Sequence, residues 1–285
     1  MVGGGERGGL GARPGRAFRE REGMRAYFYL AERQMAAGFS RRFEILAQIA
    51  GGYVEILAAV FLWEWVFRER ESLYGMSGMQ MRSWVILSAG LTVFYSVQVH
   101  LRMRREAFRR GLSALSPCSA AGLHLARDLG NAAVNLSVKS LPLVILGGLS
   151  FGLLPPAGAA ELLLALCGAA AGYLMIWLMY AIVGASSCWL MGLGDLGVAL
   201  TVLIAILSGS LLPLEFFPQP VQSVLSWLPF RYAFQTPLSL YLGKMTVPEG
   251  LRQLAAQAVW IVLLYLAARL LWDGGQKRLS EESGS

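Results

Sequence analysis

The chain reads as an all-α membrane protein with six transmembrane helices, an N-terminal interfacial helix, and re-entrant half-helices between spans five and six on the outer side. Three observations predict this. Six apolar stretches, each about the 20 residues a helix needs to cross the hydrocarbon core, fill most of the sequence between Phe43 and Trp272. Hydrophobic residues make up 55% of the chain and charged residues 15%, with a mean hydropathy of +0.51, outside the range of soluble domains. Basic residues are distributed unevenly across the predicted topology. In lipid each backbone polar group must be satisfied within its segment, so runs of this length are helices.

Residues 1–23 are rich in Gly and Arg and lack an apolar signal core, so a disordered basic cytoplasmic tail is expected there. The membrane domain is expected over residues 24–275, with a short cytoplasmic tail at 276–285. Between Met24 and Arg42, Tyr27, Leu30, Met35 and Phe39 alternate with Arg25, Glu32, Arg33 and Arg41, a mixture suited to a helix lying among lipid headgroups.

The spans are predicted at Phe43–Phe67, Trp84–Leu101, Asn131–Leu154, Ala160–Val183, Leu193–Leu212 and Leu251–Trp272. Six spans put both termini on one side. That side holds roughly 17 Lys and Arg residues against 6 on the other, placing the termini in the cytoplasm by the positive-inside rule. Topology and anionic lipids thus account for the net charge of +7, and a nucleic-acid partner is not expected.

The first span carries Glu44, Glu55 and Glu64. Glu44 follows Arg41 and Arg42, and Glu64 has Arg68 one turn further on as an expected partner. Glu55 lies about 16 Å beyond Glu44 by helical rise, near mid-membrane, where a carboxylate is costly. It is either a protonated or paired structural residue or part of a substrate pathway. In the third span Asn131, Asn135 and Lys139 recur every four residues as a polar stripe, and Pro142 is expected to kink the helix. Interhelical hydrogen bonding is the usual reason for such a stripe, while Lys139 either snorkels or pairs with a carboxylate, Glu55 being the one to test; Asn135 and Lys139 join Glu55 as pathway candidates.

Between spans two and three, Arg102, Arg104, Arg105, Arg109 and Arg110 form a basic helix, followed by a turn at Pro117 and a second helix from about Ala120. Small residues crowd the fourth span, which favours close packing. After the fifth, Pro213, Pro218, Pro220, Pro229 and Pro237 interleave with Phe216, Phe217, Trp227 and Phe230. That stretch is too broken to span and too apolar to be a solvated loop, so half-helices are expected at Gln219–Leu228 and Tyr232–Leu242, at the outer interface.

The chemistry-bearing motifs are missing. There is no G-x-x-x-x-G-K-[ST], no HExxH and no Cys/His cluster with metal-ligand spacing. Cys118, Cys167 and Cys188 read as apolar fillers. No span holds a histidine in its interior to activate a serine. No catalytic residue and no metal site is expected.

From Ser208 the residues become specific. Ser208-Gly209-Ser210-Leu211-Leu212-Pro213-Leu214-Glu215-Phe216-Phe217-Pro218, then Leu228-Pro229-Phe230, then Tyr241-Leu242-Gly243-Lys244, resemble the membrane subunits of ABC-2-type exporters, in particular half-size permeases. The resemblance covers about residues 25–275. One departure is visible: Leu112–Pro117 stands where the family often has a leucine-rich stretch ending in Arg-Pro. The resemblance implies an export permease that binds no cofactor itself. Two ATP-binding subunits would hold ATP and magnesium, and a second permease, identical or related, would complete the complex in the plasma membrane. It also implies that the basic segment from Arg102 couples to the ATPase. An ion-coupled carrier is the alternative within transport, though the inverted repeat it favours is not found; a non-transporting assembly protein is the alternative outside it.

Overall fold

The computed structural model describes residues 42–103, 120–186 and 196–283. Helix α1 (Arg42–Val66) leads into a small hairpin, β1 (Ser72–Leu73) and β2 (Met76–Ser77), joined through Tyr74 and Gly75. Both turn residues have positive φ, 50° and 73°, as a two-residue hairpin loop matching strand twist requires. The hairpin was not legible in the sequence. Ser77 then caps α2 (Gly78–Phe94): its hydroxyl accepts from the Gln80 amide while the Gln80 side chain accepts from the Ser77 amide. This reciprocal cap starts the second helix six residues before the predicted Trp84.

The third span is one long helical run with a defect inside it. Helix α3 (Ala120–Val134) passes into a π-helical segment, Asn135–Ser140, and then α4 (Leu141–Phe151). The Leu141 amide donates to the Leu136 carbonyl five residues back. Pro142 has no amide hydrogen to donate and crowds the carbonyl four residues before it, so the wider turn relieves it. The predicted proline kink is therefore a π-segment just upstream. The extra residue also breaks the polar stripe: Asn135 is buried, Asn131 and Lys139 half-buried.

Helix α5 (Ala159–Ser186) is the most enclosed long helix, burying Gly168, Gly172, Tyr173, Trp177 and Ala181 among others. Helix α6 (Leu196–Leu207) follows, then a 3-10 turn (Leu214–Phe216), α7 (Gln219–Trp227), α8 (Arg231–Tyr241) and α9 (Val247–Ser283). The half-helices fall within a residue of their predicted bounds. Helix α8 is buried from Tyr232 to Leu240 against α5, α9 and α2. Helix α9 runs on to Ser283, through most of the expected tail.

Five helical runs among the described residues are long and apolar enough to cross a membrane: Phe43–Val66, Gly78–Met103, Gly122–Phe151, Ala159–Ser186 and Val247–Gly274. The fifth predicted span is represented by α6, whose 12 described residues fall short of that length. The main core gathers Trp84, Tyr95, Tyr173, Trp177, Phe234 and Leu238 between α2, α5 and α8. A second packs Ile56 and Val60 of α1 onto Ile86 and Leu143.

Candidate functional site

Two polar clusters stand at opposite ends of the bundle, and neither is a solvated surface. The first lies where the chain approaches and leaves residues 104–119. Arg102 forms an ion pair with Asp128, which is only 2% exposed. The Trp177 indole donates to Asp128 Oδ2 at 2.9 Å, and the Tyr173 hydroxyl donates to the Asp128 carbonyl at 2.8 Å. Taking a carboxylate out of water is tolerable only when its lone pairs are occupied, and here a cation and an indole occupy them. Beside this pair the His100 ring stacks on Tyr180 at 4.8 Å, and the Tyr180 hydroxyl meets Thr201 Oγ1 of α6 at 2.7 Å. Gly184 makes the close approach possible: a Cβ there would lie 2.9 Å from Met103 and 3.0 Å from the His100 backbone.

Arg102 therefore faces inward. Arg104, Arg105, Arg109, Arg110 and Pro117 lie outside the described residues. Asp128, Tyr173 and Trp177 were not singled out from the sequence, although a lone Asp one turn before Asn131, at the edge of an apolar span, is a usable signal.

The second cluster is built by the motif residues. Gln235 of α8 donates from Nε2 to both oxygens of Glu215, each at 2.9 Å, and to Ser239 Oγ at 3.3 Å. Its Oε1 accepts from the Leu214 amide at 3.0 Å, and its own amide donates to the Ser208 carbonyl. Gly209 has φ +85°, and a Cβ there would stand 2.7 Å from Gln235 Oε1, so glycine is needed twice over. The Trp84 indole donates to the Gly209 carbonyl, and the Ser88 hydroxyl to that of Ser210.

Phe216 meets the rings of Trp63 and Tyr74 at 5.3 and 5.1 Å, while Phe217 is half-buried. Pro213 is buried and precedes the 3-10 turn; exposed Pro218 precedes α7. Pro229 is buried at the α7–α8 corner, and Phe230 packs with Tyr232 against Met175 and Met179. Gly243, at φ +68°, ends α8. Lys244 then lies 3.9 Å from Glu215, and burial lowers its pKa, opposed by that carboxylate. The recognisable residues thus hold the connection between α6 and α9 in one shape.

A family model, that of the ABC-2 family transporter proteins, matches residues 54–283. The chain belongs to this family. Comparison with curated proteins and with solved structures found no match. The match takes in both clusters of this ABC-2 permease.

The intramembrane pathway candidates do not converge. Glu55 is exposed on α1, Asn135 is buried in the π-segment, and Lys139 is half-buried. No hydrogen bond or ion pair of Glu55 is found among the described residues, Lys139 included: Glu55 lies off the face that α1 packs onto α4 through Gly52 and Ile56. Glu64 pairs with Arg82 of α2 at 3.4 Å instead of Arg68, because the hairpin brings α2 back alongside α1.

Proposed function

We propose that this permease is the transmembrane subunit of an ATP-driven exporter that moves a hydrophobic or amphipathic substrate out of the cell. Two permease subunits, identical or related, would work with two separate ATP-binding subunits that hold ATP and magnesium. Family membership over residues 54–283 carries the reading. The sequence has no phosphate-binding loop, which agrees with ATP hydrolysis on another chain.

In this reading the chain crosses the plasma membrane six times, with α6 in the fifth span and both termini in the cytoplasm, as the charge bias supports. The α7–α8 hairpin is then re-entrant from the outer side. The Arg102–Asp128 pair supports the coupling role of the intervening segment: it ties both flanks of residues 104–119 to Tyr173 and Trp177 of α5, so a push on that segment reaches the bundle core. Glu55 borders the route between subunits, while Asn135 and Lys139 set the π-segment beside it.

The test is reconstitution with the ATP-binding subunit in vesicles whose ion gradients have been collapsed. ATP-dependent uptake into inside-out vesicles is expected; uptake that needs the gradient and ignores ATP points to an ion-coupled carrier. Reversing Arg104 and Arg105 to Glu should reduce co-purification with the ATPase by at least tenfold while insertion, scored by cysteine labelling, is kept. Unchanged co-purification removes the coupling role.

A further inference from the structure

Several charges among the described residues are matched. Arg102 pairs with Asp128, Glu64 with Arg82, Glu215 with Lys244, and Arg269 with Asp273. Glu55 and Arg231 are different. Glu55 is exposed on α1 with no partner among the described residues. Arg231 is half-buried, its Nε enclosed without a hydrogen bond among the described residues, and its guanidinium lies over the neighbouring Tyr232 ring, at 5.8 Å.

By helical rise the two charges lie within about two turns of each other in depth. Eleven residues separate Glu55 from Val66 at the hairpin end of α1, about 16 Å of helical rise. The carbonyl next to Arg231, that of Tyr232, accepts from Gln257 Nε2. Gln257 is ten residues into α9 from Val247, about 15 Å. Both helix ends belong to the same face of the bundle, because Phe216 touches Tyr74 of the hairpin while its neighbour Glu215 meets Lys244, just before α9. A charge about 15 Å into a bilayer is costly unless a partner or water meets it.

They cannot meet within one chain. Helix α1 packs on α2, α4 and the π-segment, whereas α8 packs on α5, α9 and α2, and Glu55 lies off the packed face of α1. The exposed surface of α1 includes a stripe with Glu55 at its centre, formed by Glu44, Gln48, Gly51, Glu55 and Ala58. Gly51 has open space where a Cβ would be, so another helix can approach closely here.

We propose that Glu55 of one copy pairs with Arg231 of a second copy of this chain. A two-fold axis makes such a contact twice, and both unmatched charges of each copy are neutralised. The proposal rests on the two-permease reading and makes it a homodimer, with the stripe on α1 laid against the α7–α8 corner of its partner.

The test uses the full chain with Cys118, Cys167 and Cys188 replaced by Ala, in two differently tagged copies, one carrying Glu55→Cys and the other Arg231→Cys. A short bismaleimide should join the two tags in membranes, while neither single variant paired with itself cross-links. Native mass spectrometry of the unmodified permease is run in parallel. A dimer that fails to cross-link through these positions overturns the pair alone; a monomer overturns the two-permease reading as well. As a second measurement, Glu55→Arg and Arg231→Glu should each lower the dimer fraction about tenfold, and both changes in one chain should restore it. A dimer no better restored in the double variant means that Arg231 serves an anionic ligand or water, and the proposal fails.

Discussion

Helices α1 and α8 invert the usual relation between polarity and burial. Helix α1 has 25 residues, mostly apolar, yet Phe43, Leu46, Val54, Leu62 and Trp65 are all exposed. Helix α8 has 11 residues, including Gln235, Thr236, Pro237 and Ser239, and encloses all four. In water the first pattern would be unstable and the second a surface helix. In a bilayer the lipid is as apolar as a leucine side chain, so burying Leu46 gains little, while polar groups must find partners inside the protein. Burial here follows hydrogen-bonding need. Gln235 answers to Glu215, Ser239 and Leu214; the Tyr95 hydroxyl bridges the carbonyls of Ala169 on α5 and Ala233 on α8; Gln257 Nε2 links Gly168 to Tyr232.

If that contrast is right, variants at enclosed polar positions should outweigh changes to large exposed side chains. The largest effect is expected from Asp128→Asn, which leaves Arg102 enclosed without a compensating charge. It should destabilise by about 3–5 kcal/mol in denaturant unfolding in detergent, where Arg102→Met with Asp128→Asn recovers much of the loss. Next comes Gln235→Leu, of similar volume, which strands the Leu214 amide and the Glu215 carboxylate. About 3 kcal/mol should be lost, with proteolysis in the 208–218 stretch rising first in limited digestion.

Gly172→Ala is expected to cost about 1–3 kcal/mol, since its Cβ would sit 2.6 Å from the Tyr95 hydroxyl and 3.1 Å from the Ala233 backbone. Adding Tyr95→Phe should not rescue it, because the backbone obstruction stays. Rescue would make the hydroxyl, not the α5–α8 approach, the tight point. The smallest effect is expected on α1: Leu46→Ala and Val54→Ala should each shift stability by less than about 0.5 kcal/mol. A loss above 2 kcal/mol at either would show that the exposed face of α1 is packed in a way that the single chain does not record.

The sequence made the spans legible because lipid demands length and apolarity, and both are local properties. Most helices therefore fall near their predicted bounds, and α7 and α8 were found through their prolines. What was not legible was pairing. Glu64 has Arg68 nearby in sequence, but the β-hairpin delivers Arg82 from 18 residues away. Asp128 finds Trp177 across 49 positions. Nothing in a local window marks such distances. The motif from Ser208 to Lys244 pointed to the family, yet gave no hint that Gln235, outside its recognisable pieces, is the residue on which Gly209, Leu214 and Glu215 converge. The second start was missed for another reason: Ser77–Gln80 is a reciprocal cap hidden in a polar stretch that reads as loop.

The π-helical turn at Asn135–Ser140 sets an angular phase. One residue advances an α-helix by about 100°, so a single supernumerary residue rotates everything after it by that amount relative to everything before. Upstream, the phase that aims Asp128 at Trp177 belongs to α5. Downstream, the phase that lays Gly147 against Ile86 and Ile56, and Val144 against Gly90, belongs to α2 and α1. No uninterrupted helix with the same number of residues satisfies both settings. Deleting one residue between 135 and 140 would remove the supernumerary residue and let a continuous α-helix keep both halves in register, whereas deleting one residue elsewhere in the run would force one half to turn away from its neighbours.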